Sequence, residues 1–259
     1  MLDARGIDLS IRRTQILHGV SFRARAGEVT CIVGPNGSGK TTLLKALTGE
    51  LPFSGDATLD GQDLHAADGV WLSQRRGVLQ QSTRLAFPFT VHEVVRLGLL
   101  NAATPDPSLV DGALARVGLA GFEGRFYHEL SGGEQQRVQL ARVLVQVWEP
   151  VFEGSPRWLF LDEPVSSLDL GHQLEVMDIA AEFAREGGGV VAVMHDLNLT
   201  AMYAASVALM ERGRMVIQGT ANEVMTDERL SQAYGCKVQV GRAPDGGAVP
   251  FVLPQVASR

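Results

Sequence analysis

An α/β fold with a parallel core sheet is predicted by three features of the 259-residue sequence. Residues 29–33 are an apolar run, residues 34–41 a glycine-rich loop and residues 43–47 a helix-like stretch, so this segment reads as strand, loop, helix. Two further apolar runs, at 158–161 and 189–194, do not alternate with polar residues, which is the pattern of a strand buried on both faces. Both end abruptly, one in Asp162-Glu163-Pro164 and the other in His195-Asp196. Helical patterns at about 170–186 and 196–205 supply the crossovers that parallel strands require.

In chain order, period-two stretches at 7–11 and 15–22 flank the polar Arg12-Arg13-Thr14 and predict an antiparallel hairpin. Ala26-Gly27-Glu28 turns the chain into the strand before the loop. Gly49 and Pro52 stop the helix after the loop, and residues 55–61 predict a short strand with a turn. Beyond about residue 85 the pattern turns helical. Thr90 and Glu93 have capping-box spacing, in which the hydroxyl takes an unpaired backbone N–H and the carboxylate reaches back to the cap. Thr104-Pro105-Asp106-Pro107 breaks that helix, residues 108–117 form the next, and a helical subdomain over 85–150 is expected. Core regions then occupy 1–84 and 151–240, and residues 241–259, rich in Gly and Pro, form a surface extension. There is no internal repeat.

The chain is long enough to bury a sizeable core as one large domain or a domain with an inserted subdomain. With 45% hydrophobic and 20% charged residues it has an ordinary globular composition. No apolar run approaches the roughly 18 residues of a membrane span, and residues 1–6 lack the regions of a signal peptide. A cytosolic chain is expected, with any membrane role arising through a partner. Cys31 and Cys236 have no metal or redox spacing and are read as free thiols in a reducing compartment. A net charge of -6 gives no electrostatic footprint for nucleic acid, and none is expected as a partner.

The chemistry centres on Gly34-Pro35-Asn36-Gly37-Ser38-Gly39-Lys40-Thr41. Glycines let the backbone turn tightly and aim its N–H groups inward, so a polyphosphate sits on a nest of donors at a helix N-terminus. Lys40 then supplies a point charge to the β and γ phosphates, and the Thr41 hydroxyl is a ligand for Mg²⁺. A glycine-rich turn with a solvated lysine would share the spacing, but not the strand and helix on either side. What the hydrolysis of ATP or GTP would serve is not stated by the loop.

A second motif, Leu130-Ser131-Gly132-Gly133-Glu134-Gln135-Gln136-Arg137, is one that most phosphate-loop proteins lack. Ser131 and the N–H groups of Gly132 and Gly133 make another anion site at a helix N-terminus, and Ser131 with Glu134 also satisfies a capping box. Together the two motifs resemble the nucleotide-binding subunit of an ABC transporter, and the resemblance runs from about Leu2 to Tyr234. It implies a P-loop NTPase ABC cassette with a RecA-like mixed sheet core, an N-terminal antiparallel β subdomain and an inserted helical signature subdomain. By the resemblance, two chains sandwich two ATP molecules, Ser131, Gly132 and Gly133 of one closing over the γ-phosphate held by the other. The loop from Gly34 to Thr41, with Thr42, binds ATP; Asp162 holds Mg²⁺ through water; Glu163 is the base or water-orienting carboxylate. Gln81 matches the glutamine that senses Mg²⁺ and faces the membrane partner, Asp169 the residue that contacts the opposite phosphate loop, and His195 the histidine on the γ-phosphate. The sequence departs from the family pattern at Gln80, where proline is common, and at Val165, where threonine is common. It departs also at Ile11, which stands where an aromatic often stacks on adenine; apolar contact, with Arg12 or Arg13 over the base, is expected instead.

Within the family, residues 87–95, 219–226 and 230–235 resemble importers of iron chelates, haem and cobalamin. The lengthened stretch 147–157 and the ending 249–255 look most like the haem importer subunit, although a neutral surface loop would account for the insertion. The resemblance therefore implies an import ATPase on the cytoplasmic face of the inner membrane. Its partners would be a second copy of the chain, two permease subunits and, through them, a periplasmic haem-binding protein. The alternatives are import of a ferric siderophore or cobalamin, an exporter or lipid-linked subunit, or a soluble ABC ATPase acting on nucleic acid or ribosomes.

Overall fold

The computed structural model describes residues 1–81, 87–242 and 254. Nearly all of the expected C-terminal extension, with the ending 249–255 except residue 254, lies outside the described residues. The predicted hairpin is β1 (Leu2–Ile11) and β2 (Thr14–Ala24), with Ile11 opposite Thr14 and Arg12 at φ 57° in the turn. β3 (Val29–Val33) leads through the glycine-rich loop to α1 (Lys40–Leu47). β4 (Ser54–Leu59) and β5 (Gln62–Asp63) complete an antiparallel sheet of order β2-β1-β4-β5.

α2 (Gly69–Arg75), capped by Asp68, precedes β6 (Arg76–Leu79). A run of helices follows: α3 (Val91–Arg96), α4 (Leu109–Arg116) and α5 (Gly132–Gln146). The capping boxes at Thr90 and Ser131 are both formed. The helix of α3 tightens into a 3₁₀ turn over Leu97–Asn101 before the Thr104 to Pro107 segment is reached. A hairpin of β7 (Val151–Phe152) and β8 (Ser155–Pro156) comes next, then β9 (Trp158–Asp162), α6 (Leu170–Arg185), β10 (Gly189–Val193) and α7 (Leu197–Tyr203). β11 (Ser206–Glu211) and β12 (Arg214–Gly219) form a further hairpin, followed by α8 (Ala221–Val224) and α9 (Asp227–Tyr234). Among the described residues, no helix is long and apolar enough to cross a membrane.

The second sheet has order β12-β11-β3-β10-β9-β6, parallel from β11 to β6, with β12 antiparallel at its edge. Its central strands are buried along their whole length because successive side chains point to opposite covered faces. Trp158, Phe160, Ile32 and Val191 pack with α1 and the antiparallel sheet, whereas Leu159, Leu161, Cys31 and Val190 pack with α3 to α9.

Six strands occur where the sequence pattern signalled none: β5, β6, β7, β8, β11 and β12. In β6 the masking residue is Gly77, whose added Cβ would lie 2.6 Å from Val143 Cγ1; close approach of α5 requires the glycine that weakens the strand signal. The lengthened stretch at 147–157 is no irregular loop but carries the β7-β8 hairpin, turned by Glu153 and Gly154 at φ 51° and 74°.

Because β3, β10, β9 and β6 are parallel neighbours, their C-terminal ends lie side by side along one edge of the sheet. That edge carries, in spatial order, the glycine-rich loop, His195, the Asp162-Glu163 pair and Gln81.

Candidate active site

The loop after β3 is shaped by backbone that tolerates no side chain at two places. Gly34 has φ 144°, and a Cβ there would sit 2.1 Å from the Met210 carbonyl oxygen on β11. Gly39 caps α1 at φ 97° with no side-chain hydrogen bond to the helix end, so the first N–H groups of α1 keep their donor capacity for an anion. Lys40 is only 6% exposed, and its Nζ donates to the Gly34 and Pro35 carbonyls at 2.9 and 3.1 Å. Burial pulls this ammonium below the ordinary lysine range, while the Glu163 and Asp162 carboxylates pull it back. The Ser38 hydroxyl is buried beside Gly34 with no hydrogen-bond partner among the described residues.

Asp162 ends β9 at 3% exposure and accepts the Thr41 hydroxyl at 2.9 Å. Burial raises its carboxyl pKa above the ordinary range against the lowering effect of that hydrogen bond. Glu163 follows in the left-handed region at φ 53°. Of the five described non-glycine residues at positive φ, the other four, Arg12, Asp60, Glu153 and Arg212, occupy turns between antiparallel strands. Only Glu163 adopts it at the end of a buried parallel strand. Its amide donates to Val193 O at 3.1 Å. Its carboxylate is held on both oxygens, Oε1 by His195 Nε2 at 2.6 Å and Oε2 by Gln81 Nε2 at 2.8 Å.

A cavity of about 680 Å³ opens over this edge. Lys40, Thr41, Thr42, Gln81, Glu163 and His195 line it, with Asn36, Gly37 and Gly39 from the loop. Ile16 lines it too, whereas Ile11, expected on the base, is 44% exposed and lies outside the lining, as do Arg12 and Arg13. The structure therefore offers Ile16 of β2 as the apolar contact in place of Ile11. Ser131, Gly132, Gly133 and Asp169 also lie outside the lining. Ser131 caps α5 with Glu134, and Asp169 caps α6 by accepting the His172 amide at 3.0 Å. Val165 is buried in the apolar cluster, which explains why a valine is accommodated there. Among the described residues, no group of three or more His, Cys, Asp or Glu is placed to hold a metal by itself.

One contact had no signal in the sequence beyond its place in the second motif. Gln136 on α5 donates its Nε2 to the Glu163 carbonyl at 2.9 Å, joining the helical region to the strained carboxylate residue within one chain.

A phosphate loop on a parallel sheet edge, an acid pair two strands along the same edge and a second glycine motif capping a helix define an ATP-binding cassette. The family model described as ABC transporter matches residues 17–166, and the chain belongs to that family as an ATP-binding subunit with ATPase activity. It is 61% identical over 260 residues to the "Hemin import ATP-binding protein HmuV" of Jannaschia sp. (strain CCS1), covering 100% of this chain and 96% of that one. It is 53% identical over 262 residues to the protein of the same name from Rhizobium meliloti (strain 1021), covering 100% of both. Among solved structures, the ATP binding subunit of an ABC transporter matches with a TM-score of 0.76 at 20% identity, covering 92% of this chain and 94% of that one. The cbiO1 protein of Clostridium perfringens, part of the ABC transporter complex cbiONQ, matches with a TM-score of 0.73 at 29% identity, covering 89% and 92%.

Proposed function

We propose that this ATPase powers import of haem across the bacterial inner membrane from its cytoplasmic face. It would act as a homodimer beneath two integral membrane permease subunits that receive haem from a periplasmic haem-binding protein. The observation that carries this reading is the end-to-end likeness, 61% over the whole chain, to a protein named for hemin import.

In the proposed cycle the loop N–H groups and Ser38 hold the triphosphate, and Lys40 leaves its two carbonyls for the β and γ phosphates. Mg²⁺ fits the donors present: the Thr41 hydroxyl, the Asp162 carboxylate acting through water and the amide oxygen of Gln81 are hard oxygen donors that would hold it. When bound, Mg²⁺ neutralises charge on the phosphates. Glu163 is oriented for water: each of its oxygens accepts one hydrogen bond and keeps a second lone pair with which to take a proton. His195, one of the two donors, is the group placed to meet the γ-phosphate.

Ser131, Gly132, Gly133 and Asp169 lie off this cavity and act on the nucleotide of the second copy. Residues 85–150 form the helical subdomain that meets the permease, and 1–84 with 151–240 the nucleotide-binding core. Only tighter binding of ATP to the closed dimer than to the open one can move the permease.

The test is reconstitution with the co-expressed membrane subunit, comparing ATPase stimulation by haem-loaded, siderophore-loaded and cobalamin-loaded binding proteins. Stimulation by the haem-loaded protein is expected. Stimulation by a non-haem cargo alone would remove the haem assignment.

A further inference from the structure

The phosphate loop belongs to the parallel sheet, whereas Ile16, the apolar residue in the cavity lining, belongs to β2 of the antiparallel sheet. A nucleotide held at both would span the seam between the two sheets. β12, the edge strand of the parallel sheet, lies against β2 along that seam and is laced to it at both ends. At the end away from the cavity, the Gln218 side chain accepts the Arg23 N–H at 3.1 Å and donates to the Arg23 carbonyl. At the catalytic edge the tie is made by backbone alone, in the β11-β12 turn at Arg212 and Gly213.

Gly213 donates its N–H to the Ser38 carbonyl of the phosphate loop at 2.9 Å, and its own carbonyl accepts the His18 N–H of β2 at 2.9 Å. One residue thus bonds the loop on one side and the strand of Ile16 on the other. The junction has no room to spare. Gly213 has φ 75°, and a Cβ there would lie 2.0 Å from the Ile16 carbonyl oxygen and 2.9 Å from His18 Cδ2. From the loop side, a Cβ on Gly39 would lie 3.0 Å from Leu17 Cδ2 and 3.6 Å from both Gly213 Cα and the Ile16 carbonyl oxygen. Gly213 itself stands outside the cavity lining.

We propose that Gly213 is a positioning residue for the nucleotide: it sets the separation between Ile16, under the base, and the loop that holds the triphosphate, and it acts through both without touching ATP. The inference rests on the reading of Ile16 as the base contact. The loop donors see only phosphate oxygens, so by themselves they hold any triphosphate. Preference for a whole nucleotide requires base and phosphates to engage together, and that gain is lost when the span between the two sites is wrong. To bring an alanine Cβ at 213 to ordinary contact distance, the turn and β2 must part by about 1 Å or more. A displacement of that size is enough to cost an aligned substrate much of its binding geometry.

The test measures the affinity of the full chain for MgATP and for magnesium triphosphate, the same phosphates without base or ribose. It compares native protein with Ile16→Ala, Gly213→Ala and a chain carrying one extra glycine between Arg212 and Gly213, which loosens the turn without adding a side chain. The native chain is expected to prefer ATP. Both turn variants should lose that preference by at least about tenfold, as should Ile16→Ala, with triphosphate affinity unchanged. Gln218→Leu, which cuts the tie at the other end of β12, should lower the melting temperature and leave the preference intact. A preference unchanged in whichever turn variants fold overturns the proposal. So does an equal loss in Gln218→Leu, which would show that preference only follows stability, and so does a triphosphate affinity that falls in step with that for ATP. If Ile16→Ala keeps the native preference, the base reading fails, and this inference with it.

Discussion

Glu163 holds the left-handed conformation at a cost on the order of 1 kcal/mol for a residue with a side chain, so its surroundings must over-determine it. His195 and Gln81 fix the carboxylate, and Gln136 and the Val193 carbonyl fix the backbone. Glu163→Gln is expected to keep ATP binding, accumulate a closed dimer and lower kcat by about 10²- to 10⁴-fold; near-normal hydrolysis would remove Glu163 from the catalytic role. Gln136→Leu takes away only the backbone anchor. Its kcat should drop between about tenfold and a hundredfold with little change in KM for ATP, and a matching rise in KM would mean that the residue serves binding instead. Asp162 has the opposite economy of charge. Burial sets its folded pKa above the unfolded value of 3.8, so the native state holds the proton more tightly in the window between the two. The stability of the protonated form is therefore fully present below 3.8 and is lost as pH rises through the raised folded pKa. Asp162→Asn should melt about 2–4 °C higher than the native chain at neutral pH, show no such gain below the window, and hydrolyse ATP poorly. A calorimetric scan with no gain at neutral pH would show that the buried carboxylate is compensated.

At the scale of elements, legibility followed burial and capping. β3, β9 and β10 were readable because strands covered on both faces are apolar throughout, and Thr90 and Ser131 were readable because capping boxes are local. β6 was hidden by the glycine that α5 demands, and the β7-β8 hairpin by a stretch too short to show alternation. Glu163, Lys40 and His195, which line one cavity in the structure, were legible through motifs as candidates. Their pairing was not, because Gln81 and Glu163 meet only through the order of strands in the sheet, and Gln136 reaches a carbonyl that sequence does not display. The position of β3 also governs its cysteine. Burial pushes the Cys31 thiol up to about 12, while Cys236 is exposed. An alkylating reagent at pH 8 should therefore modify one thiol per native chain and both after unfolding; two reactive thiols in the native protein would show that the central strand opens readily.

For the molecule as a whole, the cavity is lined without Ser131, Gly132, Gly133 or Asp169, and on the proposed reading those residues come to it from a second chain. ATP hydrolysis per chain should rise with chain concentration until dimers saturate, while ATP binding per chain stays constant. Steady-state phosphate release across a dilution series would decide this, a flat specific activity showing that one chain suffices. The sheet has a further property in the pairing of β6 with β9, Gly77 opposite Leu159. These parallel neighbours are joined by residues 80–157, which form one very long crossover that leaves at the catalytic edge and returns at the opposite end. Closing such a connection costs free energy only with the logarithm of its length, so the parts of it that do not pack on the sheet as α5 does on Gly77 can vary at little cost. The helices between are thus a graft: their size and outer surface are open to exchange without re-registering any strand. The stock onto which they are set keeps the chemistry, and the graft is free to be refitted to whatever it docks against.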